Sequence, residues 1–484
     1  MQDLDLALIT KRSIRGIFAL TSRTFVIQIV SFAANFLLTV LLTPAIFGVY
    51  FVVTAAIAFL QYFSDIGLAA ALIQKKEEIT EEDLKTTFTI QQGLVITVTV
   101  IAILLSGAVG RFYNLDKDGI LLFQALAVSF FLSSLKTIPS IILERNLRFE
   151  KLVIPQIVET FVFSITVVVL ALKGFGVSSF TYSVLLRGIS GVIAIYVISP
   201  WRIRLGLSRE SASKLLSFGI PFQVNSFLAL IKDDLFVAYL GKALPLTQVG
   251  YIGFAQKWAF VPLRLVMDNV IRITFPSFSR LQEEKEILKK AVEKSIFAAS
   301  FLIFPSLMGL ILMAPYFINF IPKYGKWEPT VLSLVYFSLS AAMSSVSTPL
   351  TNALNAVGKI KISLNLMIFW TVATWVITPL FIVWFGFNGV AMASALIATS
   401  FVLVVWIVKK YISFDLIRST LSPLIGTVIM GLVVYFLSPI FVKSLASLFL
   451  MIFFGAVVYF FCLFVIAKKE LIADIRLVIS NLKR

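Results

Sequence analysis

The stretch LASLFLMIFFGAVVYFFCLFVIA, residues 445–467, carries no charge. It exceeds the roughly 20 apolar residues that a helix needs to cross the hydrocarbon core of a bilayer. Its apolar residues run on without alternating, which excludes a barrel strand. Runs of the same kind recur along the chain. Within a few residues at each end they lie at 18–42, 48–72, 87–109, 120–142, 152–172, 177–199, 215–240, 247–275, 296–321, 330–350, 364–385, 388–408, 420–437 and 445–467. The expected fold is an all-α polytopic membrane protein with about 14 transmembrane helices. Composition agrees. Of 484 residues, 59% are hydrophobic and 14% charged, with mean hydropathy +0.97. Soluble domains run near about 45–50% apolar and about 25% charged. A soluble globule this apolar could not cover its own surface.

The 42 Lys and Arg against 25 Asp and Glu give a net charge of +17. With a cytoplasmic N-terminus and strict alternation of spans, about 28 of these cations fall in inner loops and about 7 in outer loops. Both termini are therefore expected in the cytoplasm, in a plasma (inner) membrane. Residues 1–17 lack a signal-peptide pattern, and the first span is expected to be retained. The outer loops are short, about ten residues or fewer. They have little room for chemistry, and an enzyme is not expected.

Several chemistries are excluded by absence. There is no His, hence no His-based metal site, general base or Ser-His-Asp triad. One Cys, Cys462, lies inside an apolar run and has no intrachain disulfide partner. No P-loop occurs, which argues against direct ATP drive. Asp116-Lys117-Asp118 has the DxD form of metal-binding glycosyltransferases, but a short Asp-rich loop is ordinary turn chemistry. The cations are spread over many loops instead of one basic domain, so nucleic acid is not an expected partner.

The chain repeats itself at an offset of about 202 residues. Leu42-Thr43-Pro44 to Gly48-Val49-Tyr50 aligns with Leu244-Pro245-Leu246 to Gly250-Tyr251-Ile252, and Asp65 falls opposite Asp268 within a residue. Later, Gly174-Phe175-Gly176-Val177 echoes Gly386-Phe387-Asn388-Gly389-Val390. The expected organisation is two six-helix bundles, 1–208 and 209–412, related by a pseudo-two-fold along the membrane normal. Two extra transmembrane helices and a cytoplasmic tail follow at 413–484.

Ionisable residues inside spans are expensive and face a partner or a cavity by default. Here they are Arg23, Asp65, Lys136, Glu159, Arg187, Lys232, Asp233, Asp234, Lys257, Arg264, Asp268 and Arg272. Lys257, Arg264, Asp268 and Arg272 fall within roughly an 80° arc of one helix. They form either a mostly cationic cavity wall or an internal ladder in which Asp268 pairs with Arg264 and Arg272. Arg187 lies near the middle of its span, too deep to snorkel, and Lys136 sits inside its span just before Pro139. Arg23 is near the cytoplasmic end of the first span, where positive-inside placement alone would explain it. Glu159 either pairs with a cation such as Lys136 or carries protons. The intramembrane cations outnumber the acids, about seven to five, which disfavours a site for cationic drugs.

Several motifs resemble the polysaccharide flippase family (O-antigen, capsule or teichuronic type) of the multidrug/oligosaccharidyl-lipid/polysaccharide exporter superfamily. They are Leu41-Leu42-Thr43-Pro44 with Phe47-Gly48, Phe63-Ser64-Asp65-Ile66-Gly67-Leu68, Arg145-Asn146-Leu147-Arg148-Phe149, Asp234, Gly250-Tyr251, and Phe275-Pro276-Ser277-Phe278-Ser279-Arg280-Leu281. The resemblance covers roughly residues 15–410 and implies two bundles in a V around a central cavity that works by alternating access. It implies a polyprenyl-pyrophosphate-linked glycan as substrate, membrane lipids as surroundings, and a polysaccharide polymerase and export machinery as partners. Cations in a low-dielectric site suit a pyrophosphate. The headgroup candidates are Arg187, Lys257, Arg264 and Lys136, then Arg23, Lys232 and Arg272. Glu159, Asp65, Asp234 and Asp268 are candidates for ion coupling or pairing. No cofactor is implied, and Na+ or H+ are the coupling-ion candidates. A lipid II flippase and a multidrug antiporter of the same superfamily are the alternatives.

Overall fold

The computed structural model describes residues 23–62, 67–75, 77–232 and 234–466, with the side chains at 218, 220–222, 224–229 and 232 outside the description. Among the described residues there is no strand. Twelve helices or helix pairs are long and apolar enough to cross a membrane. The other two expected spans are helical as well. One, helical over Arg209–Lys232 and Asp234–Ala243, has Lys232 and Asp234 within it, and the other carries four charged residues along its length, so neither is continuously apolar.

The chain divides into two compact units, Met1–Gly250 and Tyr251–Arg484. The first contains α1 (Arg23–Leu41), α2 (Pro44–Tyr62), α3 (Leu68–Gln74), α4 (Glu81–Tyr113), α5 (Lys117–Ser134), α6 (Thr137–Arg145), α7 (Phe149–Leu172), α8 (Ser178–Ile198), α9 (Arg209–Lys232), α10 (Asp234–Ala243) and the first turn of α11 (Leu246–Arg280). Here α7 packs on α8, α8 on α5, and α5 on α4 and α2.

The loops before α4 and between α6 and α7 are closed by side chains that cap backbone groups. Thr80 and Asp83 form a reciprocal capping box at the start of α4, which satisfies two of the orphan amides of a helix N-terminus. Lys75 Nζ lies 2.6 Å from the same Asp83 carboxylate. The Arg145 guanidinium donates to the carbonyls of Leu72 (2.9 Å), Lys75 (2.5 Å) and Glu77 (2.8 Å), and so caps the C-terminal end of α3. Arg145 is the first residue of the Arg-Asn-Leu-Arg-Phe motif, and Leu147 within that motif takes a left-handed φ of 53°. Asp116, from the DxD-like triplet, is the N-cap of α5 and accepts from the Gly119 N–H at 2.8 Å.

Span 120–142 is not one continuous helix. It breaks at Leu135–Lys136, between α5 and α6. Pro139 has no N–H to offer the carbonyl four residues earlier, that of Leu135. The Tyr196 hydroxyl of α8 donates to this carbonyl at 3.1 Å, the kind of replacement that lets a proline sit inside a membrane helix. Lys136 therefore stands at a helix junction and not within a regular turn.

The starts of α2 and α11 cross at backbone contact. A Cβ on Gly48 would lie 1.8 Å from the Leu246 carbonyl oxygen, and a Cβ on Gly250 would lie 1.9 Å from that of Pro44. Only glycine permits either approach. The contact is reciprocal. Swapping Gly48 with Gly250 and Pro44 with Leu246 reproduces it, and both swaps keep the sequence offset.

The second unit contains the rest of α11, then α12 (Lys285–Phe320), a short 3-10 turn (Tyr324–Thr330), α13 (Val331–Ala356), α14 (Ile360–Phe385), α15 (Asn388–Ala398), α16 (Phe401–Lys409), α17 (Leu416–Phe441) and α18 (Leu445–Ile466). Tyr251 and Phe254 pack on Trp327, the latter stacked at 4.0 Å, and Tyr251 also meets Phe387. Phe278 of the Phe-Pro-Ser-Phe-Ser-Arg-Leu motif is 1% exposed, in a core with Leu288, Val292, Leu350 and Val404. α17 and α18 dock on α12 through Met313, Met430, Val434, Leu448, Met451 and Tyr459. The Tyr459 hydroxyl donates to the Phe301 carbonyl at 2.8 Å.

Candidate functional site

The first unit gathers three of the candidate cations on one face of α7. Gln156, Glu159 and Phe163 are spaced three and four residues apart, so their side chains share a face. Arg23 of α1 donates to Gln156 Oε1. Lys136, from the α5–α6 junction, forms an ion pair with Glu159 Oε1. Arg187 of α8 places Nε 3.6 Å from Glu159 Oε2 and its guanidinium carbon 6.0 Å from the centre of the Phe163 ring.

Burial within the cluster is uneven. The side chains of Glu159 and Lys136 are 10% and 17% exposed, whereas that of Arg187 is 52% exposed. At 3.6 Å the Arg187–Glu159 contact is Coulombic and outside hydrogen-bond reach. No hydrogen bond engages the Arg187 guanidinium among the described residues. Arg23 Nε is buried and has no acceptor among them either. Two cations thus flank one carboxylate and a third holds the neighbouring Gln156, with guanidinium donors to spare.

The Glu159 carboxylate has room because position 191 is glycine. A Cβ on Gly191 would lie 2.0 Å from Glu159 Oε1. Gly191 is one turn beyond Arg187 on α8, so the helix that brings the arginine also vacates the space for its partner.

The second unit arranges its charges differently. Lys257, Arg264, Asp268 and Arg272 are all exposed on α11, together with Gln256 and Asn269. The opposite face of α11, with Leu263 and Met267, is buried against Ala299, Ile303 and Leu307 of α12 and Ala341 of α13. Among the described residues, no ion pair joins Asp268 to Arg264 or Arg272. Among these residues the internal ladder is not formed, and the stripe is exposed. Asp234 is the first residue of α10. Asp65, Asp233 and the Lys232 side chain lie outside the described residues.

Gln156, Phe163 and Gly191 were not candidates on sequence grounds. The signal was present for all three, since each lies three or four residues from a candidate on the same helix. Their chemistry is neutral, so a search for charges passes over them.

The chain belongs to the polysaccharide biosynthesis protein family, whose sequence pattern matches residues 37–332. It is 26% identical over 395 residues to the lipopolysaccharide biosynthesis protein WzxC of Escherichia coli K12, covering 79% of this chain and 75% of that one. It is 27% identical over 357 residues to a membrane protein in the cps region of Klebsiella pneumoniae, covering 72% and 71%. The teichuronic acid biosynthesis protein TuaB of Bacillus subtilis is 23% identical over 309 residues, covering 62% of each chain. Among solved structures, the lipid II flippase MurJ in an inward closed conformation superposes with a TM-score of 0.77, at 14% identity over 93% of this chain and 99% of that one. A multidrug resistance MATE transporter in an inward-facing conformation gives 0.61, at 17% identity over 82% and 98%. At such identities these likenesses establish the fold and not the substrate. The protein is a multi-pass membrane protein, helical throughout its described spans, with a MurJ/MATE-like fold.

Proposed function

We propose that this protein is a flippase for polyprenyl-pyrophosphate-linked oligosaccharide repeat units. It moves them from the cytoplasmic to the outer leaflet by alternating access, for cell-surface polysaccharide biosynthesis. The observation that carries this reading is the α7 cluster inside the spans, in which two cations flank the Glu159 carboxylate, a third binds Gln156 one turn away, and Arg187 keeps free guanidinium donors among the described residues. A pyrophosphate offers several oxyanions to such donors, and arginine can take two at once. The named relatives serve different polymers, lipopolysaccharide in one case and teichuronic acid in another. A charged lipid carrier is a handle that such substrates share, whatever the sugars. Carrying polar sugars through hydrocarbon without a protein would cost many times the thermal energy.

In this reading the cations that take an anionic headgroup are Arg187 and Arg23 in the first unit and, considered by themselves, Lys257, Arg264 and Arg272 in the second. Lys136 and Lys232 complete the cationic set. Glu159, Asp65, Asp234 and Asp268 remain the residues for pairing or for coupling to Na+ or H+. The protein sits in the plasma membrane with both termini cytoplasmic, acts as a transporter and not an enzyme, and hands its product to a polysaccharide polymerase and export machinery. The two six-helix halves, 1–208 and 209–412, are the elements that alternate. The lipid II and multidrug readings rest on fold likeness alone, and the surplus of cations disfavours cationic drugs.

The test is flipping of a defined lipid-linked oligosaccharide in proteoliposomes, with and without Na+ and proton gradients. Arg187→Ala and Arg264→Ala are each expected to abolish transport while inserting normally. Full transport by both variants would sink the assignment.

A further inference from the structure

Glu159 is shared between Lys136 and Arg187, and the two do not hold it equally. Lys136 is buried and in direct contact with Oε1, whereas Arg187 stands 3.6 Å from Oε2 and is half exposed. Were Lys136 absent, the carboxylate would have only Arg187 to neutralise it. In a low-dielectric site a guanidinium and a lone carboxylate close into a bidentate pair. The Arg187 donors would then be consumed.

We infer that Lys136 is a positioning residue that occupies Glu159 so that the Arg187 guanidinium stays open to an anionic ligand. Glu159 in turn steers Arg187 through Nε and leaves its two terminal nitrogens without a hydrogen bond among the described residues. The Pro139 break places Lys136 at a helix junction from which it reaches α7. Gly191 leaves the carboxylate space to lie between its two cations. This inference rests on the anionic-headgroup reading above and departs from the simpler view that Lys136 touches the headgroup.

The charge sum makes the idea testable. Lys136, Glu159 and Arg187 together carry one net positive charge. Lys136→Met lowers this to zero and hands Arg187 to Glu159. Lys136→Met combined with Glu159→Gln restores the single positive charge and frees Arg187. The measurement is binding of a polyprenyl pyrophosphate to the full-length protein in phosphatidylcholine nanodiscs. Thermal unfolding of each variant serves as the check on folding.

Lys136→Met is expected to weaken binding about tenfold or more, Arg187→Ala by at least as much, and the double variant to recover to within about threefold of the unaltered protein. A double variant as weak as Lys136→Met overturns the inference, because Lys136 is then a ligand or a purely structural group. The headgroup reading survives that result as long as Arg187→Ala is defective. Normal binding by Lys136→Met also overturns the inference. Normal binding by Arg187→Ala overturns both. Should Lys136→Met fail to fold, Lys136→Arg keeps Glu159 occupied and is expected to bind normally; loss of binding there is equally fatal.

Discussion

The α7 cluster and the α11 stripe contain the same residue types, yet they are built on opposite principles. Around α7, cations from three other segments of chain converge on one helix face, two of them on a single carboxylate, and the pairing is tertiary. On α11 four charges share one helix face, stay exposed and make no ion pairs with each other. The first arrangement is a network in which removing one member changes what the others do. The second is a row of charges spaced along one helix face, with no ion pair between its own members. Intramembrane charge is therefore not a uniform signal. Its meaning depends on whether the neighbours lie along the helix or across it.

The largest expected effect treats the two regions alike. Reversing either Arg187 or Arg264 to Glu should abolish flipping in proteoliposomes, since each puts a negative charge where an oxyanion must come. If only one reversal matters, only one region meets the substrate.

Neutralising the acids should separate the regions. Glu159→Gln leaves Lys136 buried without its counter-charge and is expected to cost about 3 kcal/mol, read as a fall in Tm in detergent. Asp268→Asn removes an exposed charge with no ion-pair partner among the described residues and should leave Tm unchanged. Equal effects would erase the distinction between network and row.

Smaller packing effects probe the backbone around these charges. Gly191→Ala must push the Glu159 carboxylate aside and is expected to cost about 1–3 kcal/mol and to reduce flipping. Gly48→Ala and Gly250→Ala each meet a carbonyl oxygen and should destabilise by about 2 kcal/mol apiece. Because the contact is reciprocal, the two losses should match. A clear inequality would show that the local two-fold is only geometric.

The smallest effect is expected outside the spans. Lys214 hydrogen-bonds Glu210 at 2.8 Å and holds its carboxyl below the ordinary Glu value. Whatever this pair contributes is present above the ordinary carboxylate range and lost as pH falls below it. The pair is fully exposed, so Glu210→Ala should leave Tm unchanged at neutral pH.

By itself the sequence determined the fold class, the approximate spans and the stripe on α11. Apolar run length and helical periodicity are local properties, and the bilayer imposes one solution on them. The local contact of Gly48 with Gly250 joins two positions that the expected repeat also sets at one offset in the linear chain. The pairing of Glu159 stayed open, with Lys136 as one of two alternatives, because partners 23 residues apart on different helices share no period. Only the tertiary structure brought Arg187 and Arg23 to the same face of α7. Only it split the span at Lys136, gave Arg145 to the end of α3, and showed Gly191 as the space beside a carboxylate. Those features depend on which helix lies beside which. That choice is made by close packing of side chains, to which a single chain of letters assigns no distance.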